Sequence, residues 1–329
     1  MITKDHAAES PAPLPSNIFE QPDRNFRELF DQESFQFRHN LSGHSLFELP
    51  RLVTLAETLL REEGPSCVSF YRSKVLGNLD WSQIDPKDQR QKLTDAIAGL
   101  QTSDSRLLLY RVQTDPEYRL LMDQVIQELE AATGVPLSSK ITWKDAYIFL
   151  ASPHLATQYH IDHESTFLFQ IHGQRVASIW NRDDRSVLKL EELEDYYTRN
   201  VVSAAKYREE NQPKARSYSM TPGTGVHHPV LAPHTFKNGS TYSIALGVHF
   251  CLRDWDRQAR VHQVNACLRK LRLHPTPPGR SAWRDRAKIA ALGLLSKSHP
   301  KNKYELIRSG FVRLVSPLRM IPGIRERFK

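Results

Sequence analysis

The chain has 329 residues, 40% of them apolar, and a formal charge of +8, which is enough sequence for one large core with an appendage or for two modest domains. It holds no run of eighteen apolar residues, and Met1 to Asn17 is polar and proline-containing, so neither a membrane-spanning helix nor a signal peptide is expected and a soluble, cytoplasmic protein is. Three scattered cysteines, Cys67, Cys251 and Cys267, with no CxxC spacing and an odd total, exclude a disulfide framework and a thiolate zinc site and read as buried thiols.

In chain order, residues 1–25 read as a flexible lead-in, because Pro11, Pro13, Pro15 and Pro22 prevent a continuous helix. Apolar positions recur at helical spacing from Leu46 to Glu63, with Pro50 marking the start of the helix proper. After the Gly64-Pro65 turn come a strand over Cys67–Tyr71, a helix over Pro86–Leu100, a strand over Leu107–Tyr110, and a helix over Pro116–Thr133 that ends at Gly134-Val-Pro136. From Lys144 the period falls to about two, and strands are predicted over Tyr147–Leu150, His154–Tyr159, Thr166–His172, Arg175–Trp180, Gly225–Val230 and Ser240–Leu252, with Gly173-Gln174 as a hairpin turn. Short strands separated by turns suggest a barrel or a sandwich. Leu188–Asn211, rich in Glu and Tyr, reads as a helical insertion, and the chain beyond Trp255 turns helical and basic.

Two short segments carry the chemistry. Thr157-Gln-Tyr-His160-Ile-Asp162 places His160 and Asp162 two apart, on one face of an extended chain. His234 lies 74 residues beyond His160, after Pro222-Gly223 and the Leu231-Ala-Pro233 turn, at the start of a predicted strand. Two imidazoles and a carboxylate form the set that holds Fe(II) on one face and leaves its other positions open. An isolated HxD pair also occurs as solvated or core residues, and His163, His172, His227 and His228 are competing imidazoles; the twelve-residue spacing from Pro222 favours His234. In the last strand Thr241, Ser243, Ala245, Gly247 and His249 alternate with Tyr242, Ile244, Leu246, Val248 and Phe250, so the small or polar set suits a cavity and the bulky set a core.

The run His160-Ile-Asp-His-Glu-Ser-Thr-Phe-Leu-Phe-Gln-Ile-His-Gly-Gln-Arg175, followed by Pro222-Gly and His234-Thr-Phe-Lys-Asn-Gly239, resembles the JmjC-like, cupin-like Fe(II)/2-oxoglutarate oxygenases, bacterial cupin-like members above all. The resemblance covers residues 105–254, with a weaker echo at His39-Asn-Leu-Ser-Gly-His-Ser-Leu46. It implies a mainly β core folded as a double-stranded β-helix, the jelly roll of the cupins, flanked by N-terminal helices and the basic C-terminal extension. The resemblance also implies His160, Asp162 and His234 as metal ligands, and it implies Arg175 with the hydroxyl of Thr157 as the holders of the 2-oxoglutarate C5 carboxylate. Arginine suits that task as a planar fork, although Arg175 also reads as a strand-surface cation and Thr157 as a β-favouring residue. His249 stands where some members carry a cosubstrate-facing amide, and Tyr110 where some carry a cosubstrate-facing phenol, although a packed tyrosine fits that position too.

These features imply three segments: residues 1–25, a domain over 26–254, and a basic extension over 255–329. The resemblance further implies an Fe(II)/2-oxoglutarate-dependent dioxygenase that uses O2 to hydroxylate a small metabolite, a carrier-bound intermediate or a protein side chain. The alternatives are a non-catalytic sensor or regulator of the same fold and a metal-dependent isomerase or lyase. The extension carries 18 Lys or Arg against Asp256, Asp285, Glu305 and Glu326, while the first 254 residues hold 27 basic and 33 acidic side chains. Such an excess suits nucleic acid, an anionic membrane, an acidic partner or docking against the acidic body, and the segment Phe311–Pro322 suits a lipid surface or a homodimer partner.

Overall fold

A computed structural model describes residues 13–72, 75–78, 83–199, 204–300 and 302–321. The first part of the chain alternates helices with strands: α1 (Arg24–Leu29), β1 (Phe35–Arg38), α2 (Leu49–Glu62), β2 (Val68–Arg72), β3 (Val75–Asn78), α3 (Pro86–Ala98), β4 (Ser105–Leu109), α4 (Pro116–Thr133) and α5 (Leu137–Lys140). Both α3 and α4 begin with an Asp-Pro pair, Asp85 and Asp115 accepting from the N–H of Lys87 and Glu117. The carboxylate satisfies a donor that lacks an intrahelical partner, and proline at the first position loses none. Gly134, in the left-handed conformation, ends α4.

The β-rich part comprises β5 (Ile141–Ala151), β6 (Ser165–His172), β7 (Arg175–Ile179), β8 (Arg216–Met220), β9 (Thr224–His228), β10 (His234–Asn238) and β11 (Ser243–Leu252). Eight strands form one antiparallel sheet in the order β1-β9-β6-β11-β5-β4-β2-β3, and β10-β7-β8 form a second. Leu168, Val226 and Ala245 of the large sheet pack against Ala177, Ile179, Met220 and Phe236 of the small one. The opposite face of the large sheet, through Phe167, Phe169, Ile244, Leu246, Val248 and Phe250, buries the apolar faces of α2 and α4. Two facing antiparallel sheets of this order are the double-stranded β-helix, and the alternation read along β11 divides between its two faces.

Three expectations change. Gly173-Gln174 is not a hairpin turn, because β6 pairs with β9 and β11 whereas β7 pairs with β10 and β8; the dipeptide is a corner that carries the chain from one sheet to the other. Gly173 has φ of 72°, and a Cβ there would strike the carbonyl of Tyr242, so backbone passes too close for any side chain. The segment His154–Tyr159 is not a strand. Pro153 precedes His154 at φ of 61°, and the chain thereafter meets β10 only at isolated bridges, Ala156 with Lys237 and His160 with His234. The described part of the expected lead-in is packed, with Ile18 and Phe19 buried and their N–H groups held by the Glu128 carboxylate at 2.8–2.9 Å; residues 1–12, with Pro11, lie outside the described residues.

Beyond the sheets, α6 (Leu190–Arg199) lies in the insertion, and α7 (Arg253–Lys270), α8 (Ala282–Leu295) and α9 (Lys303–Leu318) form the extension. The extension docks on α6: Arg269 reaches Glu194 at 3.0 Å, Arg308 donates to the Thr198 carbonyl at 2.7 Å, and Gln263 links the carbonyls of Tyr197 and Ile307. Of the segment that suited a lipid surface or a dimer, Phe311 and Val315 are buried against Cys267, while Val312, Met320 and Ile321 are exposed. All three cysteines are free and buried. Among the described residues no helix is long and apolar enough to cross a membrane.

Candidate metal centre

His234 opens β10, and the chain through His160 runs beside it, the N–H of each donating to the carbonyl of the other at 3.0 and 3.3 Å. This bridge brings the two rings to 4.2 Å between centroids. Asp162, whose own carbonyl accepts from Leu231 N–H at 2.8 Å, directs Oδ2 to 3.5 Å from His160 Nε2 and 3.7 Å from His234 Nε2. Ligand atoms each about 2.1 Å from one ion and at roughly 90–110° to each other lie about 3.0–3.4 Å apart; the two carboxylate–imidazole separations are a few tenths wider, and all three ligand atoms lie within 4.8 Å of one another, close enough to converge on one cation with small side-chain shifts.

The tautomers fit as well. His160 Nδ1 lies 2.7 Å from the Gln158 carbonyl and His234 Nδ1 lies 2.9 Å from the Ala232 carbonyl. Each Nδ1–H therefore donates to backbone and leaves the Nε2 lone pair facing Asp162, the arrangement that orients ligating imidazoles. Burial would raise the Asp162 carboxyl, but a proton shared from His160 Nε2 holds it well below the usual carboxylate range; a cation taking the place of that proton would meet a carboxylate and an Nε2 lone pair. His234 is pushed down to about 4 by burial and by His160, so its imidazole is neutral near pH 7. The side chains of His160 and Asp162 are 21% and 23% exposed, and the centre opens on that side.

A second convergent group, His163, Cys251 and Asp256, has other commitments. His163 faces the Tyr197 hydroxyl through Nδ1 and Asp256 through Nε2, both at 2.9 Å, so neither nitrogen retains a lone pair for an ion. His227 lies on the helix-covered face, between Phe167 and Phe35, with Nε2 accepting from Asp31 N–H at 3.2 Å and Nδ1 against the Thr166 carbonyl. His228 faces the other way and packs 4.1 Å from His234, beside the three convergent side chains rather than among them. His172 stacks on Tyr242.

Arg175 begins β7 and is 6% exposed. Its Nη2 donates to Ser243 Oγ at 3.0 Å, Gln170 donates to the same oxygen at 2.8 Å, and Phe236 lies 5.6 Å beneath the guanidinium. Its Nε and Gln170 Oε1 have no hydrogen-bond partner among the described residues. Burial lowers this group to about 10, so it remains a cation at neutral pH, and no carboxylate among the described residues pairs with it. A buried charge without a counter-charge costs several kcal/mol in this setting; an anionic ligand removes that cost. Thr157 adjoins through Phe236, whose N–H donates to Thr157 Oγ1 at 2.9 Å, so the hydroxyl proton remains available.

His249 faces Thr166 Oγ1 through Nδ1 at 2.9 Å, and its buried Nε2 has no partner among the described residues. Tyr147 covers its ring at 4.5 Å, and Tyr110 meets Tyr147 edge-on at 5.2 Å. Tyr110 is thus a wall residue behind Tyr147. Gly247 is required here, since a Cβ would collide with His249 Nε2. Ser243 and Gln170, which share the Arg175 contact, were visible in the sequence only as members of the small face and of the Gln-Ile-x-Gly-x-Arg element. Glu164 and Lys303 also meet beside this site, and no sequence signal distinguishes Lys303 from its basic neighbours.

No family model matches the chain, and no curated protein does. Among solved structures the chain is similar to the ribosomal oxygenase YcfD from Escherichia coli in complex with cobalt and 2-oxoglutarate, at 14% identity over 95% of this chain and 70% of that one, with a TM-score of 0.43. It is also similar to the DMSP lyase DddQ from Ruegeria pomeroyi DSS-3, at 14% identity and a TM-score of 0.21 over 32% of this chain, and it spans 38% of the length of that lyase. A third is an RmlC-like cupin from Shewanella frigidimarina NCIMB 400, at 10% identity over 34% of this chain and 68% of that one, with a TM-score of 0.22.

Proposed function

We propose that this protein is an Fe(II)- and 2-oxoglutarate-dependent oxygenase that hydroxylates a small metabolite, a carrier-bound intermediate or a protein side chain. The observation that carries the reading is Arg175, a buried cation without a carboxylate partner among the described residues, in the same double-stranded β-helix as three convergent ligand atoms. His160, Asp162 and His234 would hold the metal, and when bound it supplies the redox chemistry that couples decarboxylation of 2-oxoglutarate by O2 to oxidation of the substrate.

The chain's own residues do the rest. Arg175 binds the distal carboxylate of 2-oxoglutarate through its fork, and Ser243 fixes the guanidinium plane by accepting from Nη2. Thr157 donates its hydroxyl proton to the same carboxylate. His249, held against Thr166, presents Nε2 to the cosubstrate, and Tyr147 and Tyr110 close that wall. Leu168, Ala245 and Phe236 line the space between the sheets with apolar surface, which excludes water and strengthens each polar contact within it. The test is succinate release that depends on both Fe(II) and 2-oxoglutarate and is lost in His160→Ala and Asp162→Ala. Full turnover by either variant would refute the assignment.

A further inference from the structure

The basic extension contributes a side chain to this site. Lys303 is the first residue of α9, whose N-terminus is capped by Asn302 accepting from Glu305 N–H at 2.9 Å. Its ammonium group ion-pairs with Glu164, two residues beyond the ligand Asp162, and the two side chains are 17% and 2% exposed. The same nitrogen lies 5.9 Å from the ring centroid of Tyr147, the residue that covers His249. Lys303 therefore touches both walls of the centre, the segment that carries Asp162 and the aromatic wall over His249. Its helix is anchored independently, through Phe311 and Val315 in a buried cluster and through Arg308 and Ile307 to α6 and α7. An ion pair this far from solvent is strongly destabilised when one member is removed, because the other charge remains buried.

We propose that α9 completes the metal pocket in cis, with Lys303 as a positioning residue that clamps the Asp162–Glu164 segment against the tyrosine wall. The inference rests on the metal-centre reading and extends it: the extension is a working part of the site. Coupling between α9 and the centre is then reciprocal, as linkage requires.

The experiment uses the full chain and Co(II) as the probe, with calorimetric titration and thermal unfolding of wild type, Lys303→Met, Lys303→Arg, Glu164→Gln and the Lys303→Met/Glu164→Gln double variant. Lys303→Met is expected to weaken Co(II) affinity about tenfold or more, Lys303→Arg to retain most of it, and the double variant to recover most of the loss because no unpaired carboxylate remains. A lower melting temperature with unchanged Co(II) affinity would assign the pair to stability alone and overturn the proposal. Failure of the wild type to bind Co(II) would remove the metal-centre reading together with this one. Where a variant does not fold, hydrogen exchange of the wild type decides: backbone amides near the start of α9 are expected to exchange at least about fivefold more slowly with Co(II) and 2-oxoglutarate, and no change would refute the coupling.

Discussion

Arg175 is the residue on which cosubstrate binding turns. Arg175→Met removes the fork while keeping a long apolar stem; losing a charge-assisted pair worth about 3 kcal/mol is expected to weaken 2-oxoglutarate binding roughly 100-fold, with Co(II) affinity within about threefold of wild type. Calorimetry with each ligand separates the two effects, and equal losses would contradict distinct roles. Gly247→Ala is expected to push the His249 ring from its position, since a Cβ collides with Nε2 and crowds Phe149, and to weaken 2-oxoglutarate binding about tenfold with the metal site retained. The convergence of His160, Asp162 and His234 was legible in the sequence, because a spacing of two fixes a common face for His160 and Asp162 and the twelve residues from Pro222 single out His234. The direction of Thr157 was not legible, as it depends on a bridge to Phe236, and Lys303 was not, as its partner Glu164 lies 139 residues away.

At the scale of elements, α2, α3 and α4 followed from their helical period, and the Asp-Pro pairs that start α3 and α4 show in the structure why those helices begin there. β8 gave only a weak signal: in Arg-Ser-Tyr-Ser-Met the alternation is confined to half-buried Tyr218 and buried Met220, too short a run to mark a strand. The His154–Tyr159 segment alternates well enough to suggest a strand, yet Pro153 and the left-handed His154 release it from the sheet, and that freedom lets His160 and Asp162 turn toward His234. The misread Gly173-Gln174 corner shows the same limit, because a tight turn is local and the sheet that receives the next strand is not. One packed connection is directly testable: Glu128 satisfies the N–H groups of both Ile18 and Phe19, so Glu128→Ala is expected to cost about 1–3 kcal/mol in denaturant unfolding. An unchanged midpoint would show that those residues do not hold the N-terminal segment.

Across the whole molecule, buried imidazoles set the acid response. Burial lowers His39 to about 4, His227 to about 3 and His262 to about 4, all below the unfolded value near 6.5. Each contribution to stability is therefore complete above about pH 6.5 and is lost as pH falls toward the folded values, because only the unfolded chain takes up the proton. Asp145, raised to about 6 by burial, acts in the opposite sense between about pH 4 and 6 and offsets one imidazole. The net expectation is a loss of at least about 2 kcal/mol between pH 7 and pH 5 in urea unfolding; stability that is flat or rising over that interval would contradict the burial of these rings. The charge asymmetry between body and extension was plain in the sequence, but its use in docking α7 and α9 onto α6 became visible only with the fold.

The central claim is that one pocket holds Fe(II) and 2-oxoglutarate together. Anaerobic titration of the protein with both tests it directly, by absorption spectroscopy. A visible metal-to-ligand charge-transfer band that saturates at one equivalent of each, and that is lost in Asp162→Ala and weakened in Arg175→Met, is the expected result. A protein that binds Fe(II) but develops no such band with 2-oxoglutarate would contradict the account.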